Sequence, residues 1–273
     1  MQSNSMKIYL CVLLVWATGI TSSAQKGVEL GGWLGLAHYF GDLNTQFDLG
    51  LPGLAGGLIY RYNFNERISF RLNGNIGTLR GDDARADNVF QRQRNLSFRS
   101  MVFDGNVDME FNFFPYIHGS NDSYFTPYMF GGISMIKFNP KAKYEGEWYA
   151  LQPLGTEGQL PGDEYATFQT GLNLGFGFKF DLNYRWSINI EGSVRKLFTD
   201  YIDDLSTTYP NMLELSSQRD PMAVILSDRS ITTPKIGQAG FQRGSSSDRD
   251  FYTFAGIALV YYFGRVNCPE ISR

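Results

Sequence analysis

The fold is decided by residues 185–198, whose sequence is RWSINIEGSVRKLF. Apolar or small residues occupy the even positions from Trp186 to Val194, and polar residues occupy the odd positions from Ser187 to Arg195. A β-strand directs successive side chains to opposite faces of its sheet. The stretch therefore predicts a strand with one apolar face and one polar face.

The same alternation recurs along the chain. It is clear in residues 68–76, 103–112 and 166–180, and weaker in residues 28–40, 54–63, 124–138 and 251–263. With residues 185–198 these segments make eight predicted strands, each close to or longer than the roughly 9–11 residues that cross a bilayer when tilted. Residues 96–101, at the start of the fourth strand, are out of phase, which we attribute to a bulge or to sequence above the membrane.

The composition favours a membrane barrel over a soluble β-sandwich. Aromatic residues make up 15% of the chain and there are 30 glycines, yet the mean hydropathy is only −0.23. In a membrane barrel, lipid-facing apolar residues alternate with polar residues of the lumen, which keeps the average hydropathy low. An open sheet in lipid would leave unpaired backbone groups at its edges, so the eight strands must close into a ring.

The links between the predicted strands alternate strictly between short and long. Residues 64–67, 115–123 and 181–184 are the shorter links, and residues 41–53, 80–95, 139–165 and 199–250 are the longer ones. Outer-membrane barrels have short periplasmic turns and long extracellular loops. We therefore expect an all-β, eight-stranded antiparallel transmembrane β-barrel of OmpA or OmpX size, with both termini periplasmic and four long extracellular loops.

The N-terminus predicts export. Lys7 precedes the apolar residues 8–16, and the small residues Ser22 and Ala24 precede Gln25. This is the layout of a cleaved signal peptide over residues 1–24, whose apolar run is too short to span a bilayer as a helix. The expected organisation is then a barrel over residues 25–264 and a short periplasmic tail over residues 265–273.

The net charge and the cysteine content bear on nucleic-acid binding and on disulfide formation. The formal charge of −3 becomes −4 once Lys7 is removed, which gives no indication of nucleic-acid binding. The mature chain keeps one cysteine, Cys268, so it cannot form an internal disulfide. We expect an unpaired thiol, with intermolecular pairing as the alternative.

Charged residues are expected inside the barrel. An eight-stranded barrel is only wide enough for its own side chains, and buried charges are tolerated only when they are paired. We therefore expect a plug of ion pairs, with a proton or ion path as the alternative. The inward charged residues are Glu29, Arg61, Arg71, Asp104, Asp108, Glu110, Lys179, Glu191 and Arg195.

The sequence offers no enzymatic constellation. The mature chain has two histidines, His38 at the upper end of the first strand and His118 in a periplasmic turn, on opposite sides of the membrane. No Ser-His-acid or Cys-His arrangement can form without one of them. We therefore predict no catalytic activity, no cofactor and no small-molecule substrate.

The longest loop holds two features of interest. Asp200, Asp203 and Asp204 could ligate calcium, but a solvated loop base or a set of partners for Arg195 is the more common arrangement, so we predict no metal. Residues 222–226 are apolar and are expected to pack on another loop or to touch a partner. Residues 237–250, rich in Gly and Ser, are expected to be flexible.

Several strings go beyond the general barrel pattern. They are HYFGDL at 38–43, YRYNFN at 60–65, EFNF at 110–113, TPY at 126–128, FNPKA at 138–142, LQPLGTEGQ at 151–159 and RKLFTDYIDDLS at 195–206. In this order they resemble the PorG-like outer-membrane proteins of Bacteroidota across nearly the whole mature chain. The last string is the most specific and carries Asp200, Tyr201, Asp203 and Asp204, whereas residues 212–240 match no family pattern.

The resemblance implies a structural role in the type IX secretion and gliding apparatus. PorG-like barrels are associated with a periplasmic ring made of a lipoprotein and a soluble partner, called PorK and PorN or GldK and GldN, and would tie that ring to the outer membrane. The working surface would then be periplasmic and would include the residues after Gln25 and the tail. Its expected turn residues are Phe64, Asn65, Glu66, Arg67, Pro115, Tyr116, His118, Asn183 and Tyr184.

Three other readings stay open beside this one. A diverged paralogue could have left the secretion apparatus. A stand-alone surface barrel could bind a ligand or partner through its outer loops, where Trp148 and Tyr149 are the exposed aromatics that the sequence suggests. A small-molecule channel is disfavoured because the lumen is narrow.

Overall fold

The computed structural model describes residues 26–46, 48–246 and 249–264. Its strands are β1 (Gly27–Phe40), β2 (Gly53–Asn63), β3 (Ile68–Asp82), β4 (Ser97–Asn112), β5 (Phe125–Tyr144), β6 (Glu147–Ala150), β7 (Phe168–Asp181), β8 (Trp186–Leu197) and β9 (Phe251–Tyr262). Its α-helices are α1 (Val89–Arg94), α2 (Met212–Gln218) and α3 (Pro221–Ser227). The expected signal peptide and the tail with Cys268 lie outside the described residues.

The strands close into a ring. Each barrel strand pairs antiparallel with its neighbours in chain order, and β1 closes the ring by pairing with β9. The short strand β6 pairs only with the upper part of β5 and stands outside the ring. The predicted fold, a closed eight-stranded antiparallel barrel, is therefore confirmed.

The outer surface of the ring is apolar. Leu34, Leu54 and Leu58 point outward and are 78%, 77% and 72% exposed. Large apolar side chains continue this band around the barrel, among them Phe103, Ile133, Leu174 and Ile257. A contiguous apolar surface of this kind is unfavourable in water and is the surface that a membrane-spanning barrel presents to lipid.

The fourth strand contains no bulge. β3 and β4 pair without interruption from Ile68 opposite Phe111 to Asp82 opposite Ser97. Of the two explanations given for the change of phase, the bulge is therefore wrong, and sequence above the membrane remains. Phe98 points inward and is buried, with its ring 4.8 Å from that of Tyr39 in an edge-to-face contact, because the end of the barrel with the long loops encloses an apolar core.

β3 and β5 extend further towards the long loops than the sequence predicted. β3 reaches Asp82 and β5 reaches Tyr144, where a turn at Glu145 and Gly146 leads into β6. The outward positions of upper β5 carry lysine and Asn139 instead of apolar residues, so the apolar alternation ends before the strand does. Residues 139–144, expected in a loop, therefore belong to β5.

The three helices are short and lie in the long loops. α2 and α3 have seven residues each and begin at the capping side chains of Asn211 and Asp220. Leu226 of α3 is buried in an apolar core with Leu43 and Phe98, so the apolar residues 222–226 pack mainly on other loops. Within the described residues, every helix is too short or too polar to cross a bilayer.

Candidate functional site

The interior of the barrel is a network of ion pairs. Arg61 contacts both Glu29 and Glu110, the second at 3.0 Å, and neither the arginine nor the two carboxylates are accessible to solvent. Lys179 contacts the other oxygen of Glu110 and donates a 3.0 Å hydrogen bond to Asn112. These pairs join β1, β2, β4 and β7 across the lumen.

A second group of pairs lies nearer the long loops. Arg71 of β3 binds Glu191 of β8 through both terminal nitrogens, at 2.9 and 2.6 Å. Arg195 of β8 donates to Asp104 of β4 at 2.8 Å. Asp108 differs from the other carboxylates, because it is held by the amide groups of Asn73 and Asn173 at 2.9 and 2.9–3.0 Å.

The nine charged residues named from the sequence thus all lie inside the barrel. Eight of them are in ion pairs with one another, and Asp108 is hydrogen-bonded to neutral amides. Cross-strand pairs of this kind fix the strands relative to one another and fill the lumen with side chains. The arrangement is that of a plug.

His118 closes the end of the barrel with the short turns, which we call the turn end. The link between β4 and β5 folds into the barrel mouth, so that the His118 ring nitrogens lie 3.1 Å from Glu29 and 3.0 Å from Asp181. The ring also stacks on Tyr262 of β9 at 4.3 Å. Burial disfavours the imidazolium, but contacts with the two carboxylates raise the pKa of His118 to about 9.

The opposite end, which we call the loop end, is closed by a packed cap. Buried side chains from all four long loops form this loop cap, and Arg94 of α1 is one of its centres. Arg94 donates twice to Asp83 at 2.8 Å and also donates to the backbone carbonyls of Asp42 and Arg243. One arginine therefore ties the first, second and fourth long loops together.

Arg243 is the second centre of the loop cap. It is 1% exposed, and it lies 3.2 Å from Glu157 of the third loop while donating to the backbone carbonyl of Asp204. Glu157 in turn accepts hydrogen bonds from the backbone amides of Ser206 and Thr207 at 3.0 and 3.1 Å. The sequence reading of residues 237–250 as flexible is therefore wrong at Arg243, which is fixed because its charge is buried and paired.

The acidic string after β8 lies inside this cap. Asp204 accepts a hydrogen bond from Tyr165 at 2.7 Å and another from Thr156, and burial raises its pKa to about 6 despite the nearby Arg243. Asp203 accepts a 2.5 Å hydrogen bond from the hydroxyl of Tyr39.

The other two residues named in the acidic string are Asp200 and Tyr201. Asp200 is 9% exposed, and the ring of Tyr201 stacks on Tyr165 at 4.5 Å. Asp200, Asp203 and Asp204 are therefore not a solvated loop base, and Arg195 pairs with Asp104 instead. In the part of the chain that the structure describes, no three His, Cys, Asp or Glu side chains are placed to hold a metal ion.

Three of the strings that carry the family resemblance meet in the loop cap. Residues 38–43 supply Tyr39, residues 151–159 supply Thr156 and Glu157, and residues 195–206 supply Asp203 and Asp204. Their residue types are explained by the hydrogen bonds that close the loop end. Sequence reasoning missed Arg94, Arg243 and Asp250 as members of this cluster, because their partners are distant in the chain.

The residues expected to contact a periplasmic partner separate into two groups. Tyr116 and His118 are 5% and 2% exposed and point into the barrel, so their side chains are not available at the surface. The other seven are half-buried or exposed at the turn end: Phe64, Asn65, Glu66, Arg67, Pro115, Asn183 and Tyr184. Among them, Tyr184 is the most exposed aromatic residue, at 57%.

Aromatic side chains are also exposed on the long loops. Trp148 of β6 is 47% exposed, whereas Tyr149 is half-buried. Phe90 of α1 and Phe241 are 43% and 56% exposed and line a groove with Pro234. Phe90 and Phe241 were not predicted to be exposed aromatic residues, because neither stands in an apolar pattern.

The two described histidines lie at opposite ends of the barrel. His38 is near the loop end of β1 and points outward, while His118 is buried at the turn end. They cannot share one catalytic site. The charged side chains described above neutralise one another inside the barrel and under the loop cap.

Solved bacterial outer-membrane proteins share the strand arrangement at low similarity. Neisserial surface protein A is 9% identical over 87% of this chain and 97% of its own, with a TM-score of 0.43. OprG of Pseudomonas aeruginosa is 11% identical over 89% and 99%, with a TM-score of 0.42. Ail of Yersinia pestis is 13% identical over 87% and 99%, with a TM-score of 0.41. At such values the likeness carries no argument about function.

Sequence comparison assigns the family. No curated protein matches the chain. The family model described as a domain of unknown function, DUF6089, matches residues 6–217, which include β1–β8 and the acidic string that follows β8. The chain therefore belongs to the DUF6089 family.

Proposed function

We propose that this protein is a non-enzymatic outer-membrane barrel that anchors a periplasmic assembly. The observation that carries the proposal is the filled lumen, in which paired charges and the His118 turn occupy the space that a channel would need. A barrel that conducts nothing acts through its surfaces. The turn end would face the periplasm and the loop end the cell exterior, as short turns and long loops do in outer-membrane barrels.

The assembly that we propose is the ring of the type IX secretion and gliding apparatus. The support is the resemblance of the strings described above to PorG-like proteins, which are associated with a PorK and PorN or GldK and GldN ring. The turn end offers exposed side chains for such a partner: Leu182 and Tyr184, each 57% exposed, lie in the turn between β7 and β8, and Arg67 is exposed in the turn between β2 and β3, on the other side of the ring. Exposed aromatic and arginine side chains are the residues that dominate protein interfaces.

The proposal is tested by recovering the partner from the native host. The tagged full-length chain would be extracted in detergent and co-purified proteins identified by mass spectrometry. We expect the ring lipoprotein and its soluble partner with the wild type, and their loss with the double substitution Leu182→Ser/Tyr184→Ser. The matched control is Leu213→Ser/Ile231→Ser in the fourth long loop, where the two side chains are 81% and 69% exposed.

Two results would overturn the anchoring role. One is a wild-type barrel in the outer-membrane fraction that brings down no ring component. The other is a loss of the ring with the loop control but not with the turn-end variant. Either result would favour the surface-binding reading below and would leave the fold unchanged.

A second candidate function is binding of a partner protein at the loop end. The observation that favours it is the groove between Phe90 and Phe241, two exposed aromatics held on a packed cap. Phe90→Ser/Phe241→Ser would abolish surface binding in this reading and leave the ring recovery unchanged in the anchoring reading. Small-molecule transport is disfavoured because the lumen is filled.

A further inference from the structure

A row of cations lies on the outside of the barrel near the loop end. Arg80 of β3 stands directly opposite Arg99 of β4, and Arg99 stands directly opposite Lys141 of β5. Lys137 and Lys143 lie on the same outward face of β5, and all five side chains are exposed. We call these five residues the rim cluster.

Within residues 26–46, 48–246 and 249–264, the rim cluster has no ion-pair partner. Like charges directly opposite each other across strands are destabilising. The guanidinium of Arg99 lies over the ring of Trp148, 5.8 Å from the ring centroid. Two nearby carboxylates accept hydrogen bonds from other groups: Asp82 from the Ala84 amide at 3.0 Å and Glu147 from Tyr149 at 3.0 Å.

The cluster begins where the apolar band ends. Along β4, outward Phe103 and Met101 are 53% and 49% exposed, and Arg99 is the next outward residue. A groove follows this boundary, lined below by Met101 and Phe103 and above by Arg99, Lys141 and Trp148. Such a surface is complementary to an amphiphile whose acyl chains lie against the apolar band and whose anionic head group meets the cations.

We propose that the rim cluster binds the phosphate of a phosphorylated glycolipid in the outer leaflet of the membrane. Arginine and lysine are the side chains that bind phosphate, and the clustering of five places several donors at the height of one head group. The exposed ring of Trp148 lies beside them, where the sugar of the head group would pack. The inference rests on the outer-membrane placement and orientation in the proposed function, but not on the periplasmic partner.

The test measures lipid binding by the purified full-length barrel. Native mass spectrometry would count bound lipid A after titration in detergent, with enzymatically dephosphorylated lipid A and phosphatidylglycerol as comparison probes. We expect tight binding of phosphorylated lipid A alone. Each cation near an anionic lipid surface contributes enough for about a fivefold change, so Arg99→Gln/Lys141→Gln is expected to weaken binding by at least about tenfold.

The matched control removes the same charge from the opposite wall. Lys196→Gln/Arg249→Gln takes two exposed cations from the loop end of β8 and the segment before β9, and is expected to bind like the wild type. Equal losses in both variants, equal binding of dephosphorylated lipid A, or equal binding of phosphatidylglycerol would each overturn the proposal. Ring recovery with the Arg99→Gln/Lys141→Gln variant tests the anchoring role separately, because that role needs only the turn end.

Discussion

At the scale of single residues, His118 makes the stability of the barrel depend on pH. Its folded pKa of about 9 lies above the roughly 6.5 of an unfolded histidine. Its contribution is therefore fully present below pH 6.5 and is lost as pH rises through about 9, with a size of roughly 3 kcal/mol. We predict that His118→Gln lowers the thermal unfolding temperature at pH 6 and removes most of the wild-type decrease between pH 6 and pH 10.

The control for this prediction is the other described histidine. His38 lies on the outward face of β1 near the loop end, away from the carboxylates that surround His118. His38→Gln is expected to leave the pH profile of thermal unfolding in detergent unchanged. A His118→Gln variant with the wild-type profile would show that the Glu29 and Asp181 contacts do not stabilise the turn end.

Arg243 is the residue whose loss should open the loop cap. Replacing it by methionine leaves Glu157 and Asp204 without their buried cation, a change that costs about 3 kcal/mol or more. We predict that Arg243→Met makes the fourth loop sensitive to trypsin at Arg229 or Lys235 while the barrel stays intact. Arg85→Met, which removes an exposed pair with Asp48, is expected to leave the rate of cleavage at Arg229 and Lys235 as in the wild type.

At the scale of elements, the segment before β9 and the acidic string share one proton donor. The hydroxyl of Tyr39 lies 2.5 Å from Asp203 and 2.9 Å from Asp250, and it has one proton to donate. Burial, together with the neighbouring carboxylates, raises the pKa of both Asp203 and Asp250 well above the usual range. A raised carboxyl pKa stabilises the folded state below about pH 4, and this contribution is lost as pH rises.

This arrangement predicts a loop cap that loosens as pH increases. In the wild type, the rate of proteolysis of the fourth loop should be higher at pH 8 than at pH 5 when measured with a protease of constant activity. Asp203→Asn cannot ionise, so it should reduce the difference between the two pH values. Asp122→Asn, an exposed change at the turn end, is the control, and an unchanged pH response in Asp203→Asn would contradict the prediction.

Strand positions could be predicted because the alternation of a strand is a local property. Residues 185–198 and 166–180 show it without knowledge of any partner, and β8 and β7 lie there. The loop-end limits of β3 and β5 could not be predicted. Their outward residues are no longer apolar above the apolar band, so the alternation that identifies a strand is lost there. The phase change in β4 has the same origin, since Phe98 is apolar and points inward under the loop cap; of its two explanations only the bulge was wrong.

At the scale of the whole molecule, the filled barrel should not conduct. Arg71 and Glu191 meet across the lumen although 120 residues separate them in the chain, and His118 closes the turn end. We predict that the purified wild type in planar bilayers shows no steady current, in contrast to a porin reconstituted in the same way. A reproducible open channel would show that the charge network is an ion path.

The residues of this network could be predicted, but their pairing could not. Alternation assigns Arg61, Arg71 and Glu191 to the inward face from neighbouring residues alone. Which carboxylate each cation meets depends on strand register and on contacts across the ring, and no local pattern encodes these. The loop cap could not be predicted for the same reason, because Arg94 and Arg243 contact loops that meet only in the folded barrel.

The bond from Tyr39 to Asp250 has a consequence for the order of assembly. Tyr39 lies at the end of the first strand and Asp250 immediately before the last, 211 residues later. Because those two strands form the seam of the ring, this contact is made only when the seam closes. In the orientation proposed above, a nascent barrel with an unsealed seam would lack this contact at the cell surface, where a protease added from outside would distinguish unfinished molecules from finished ones.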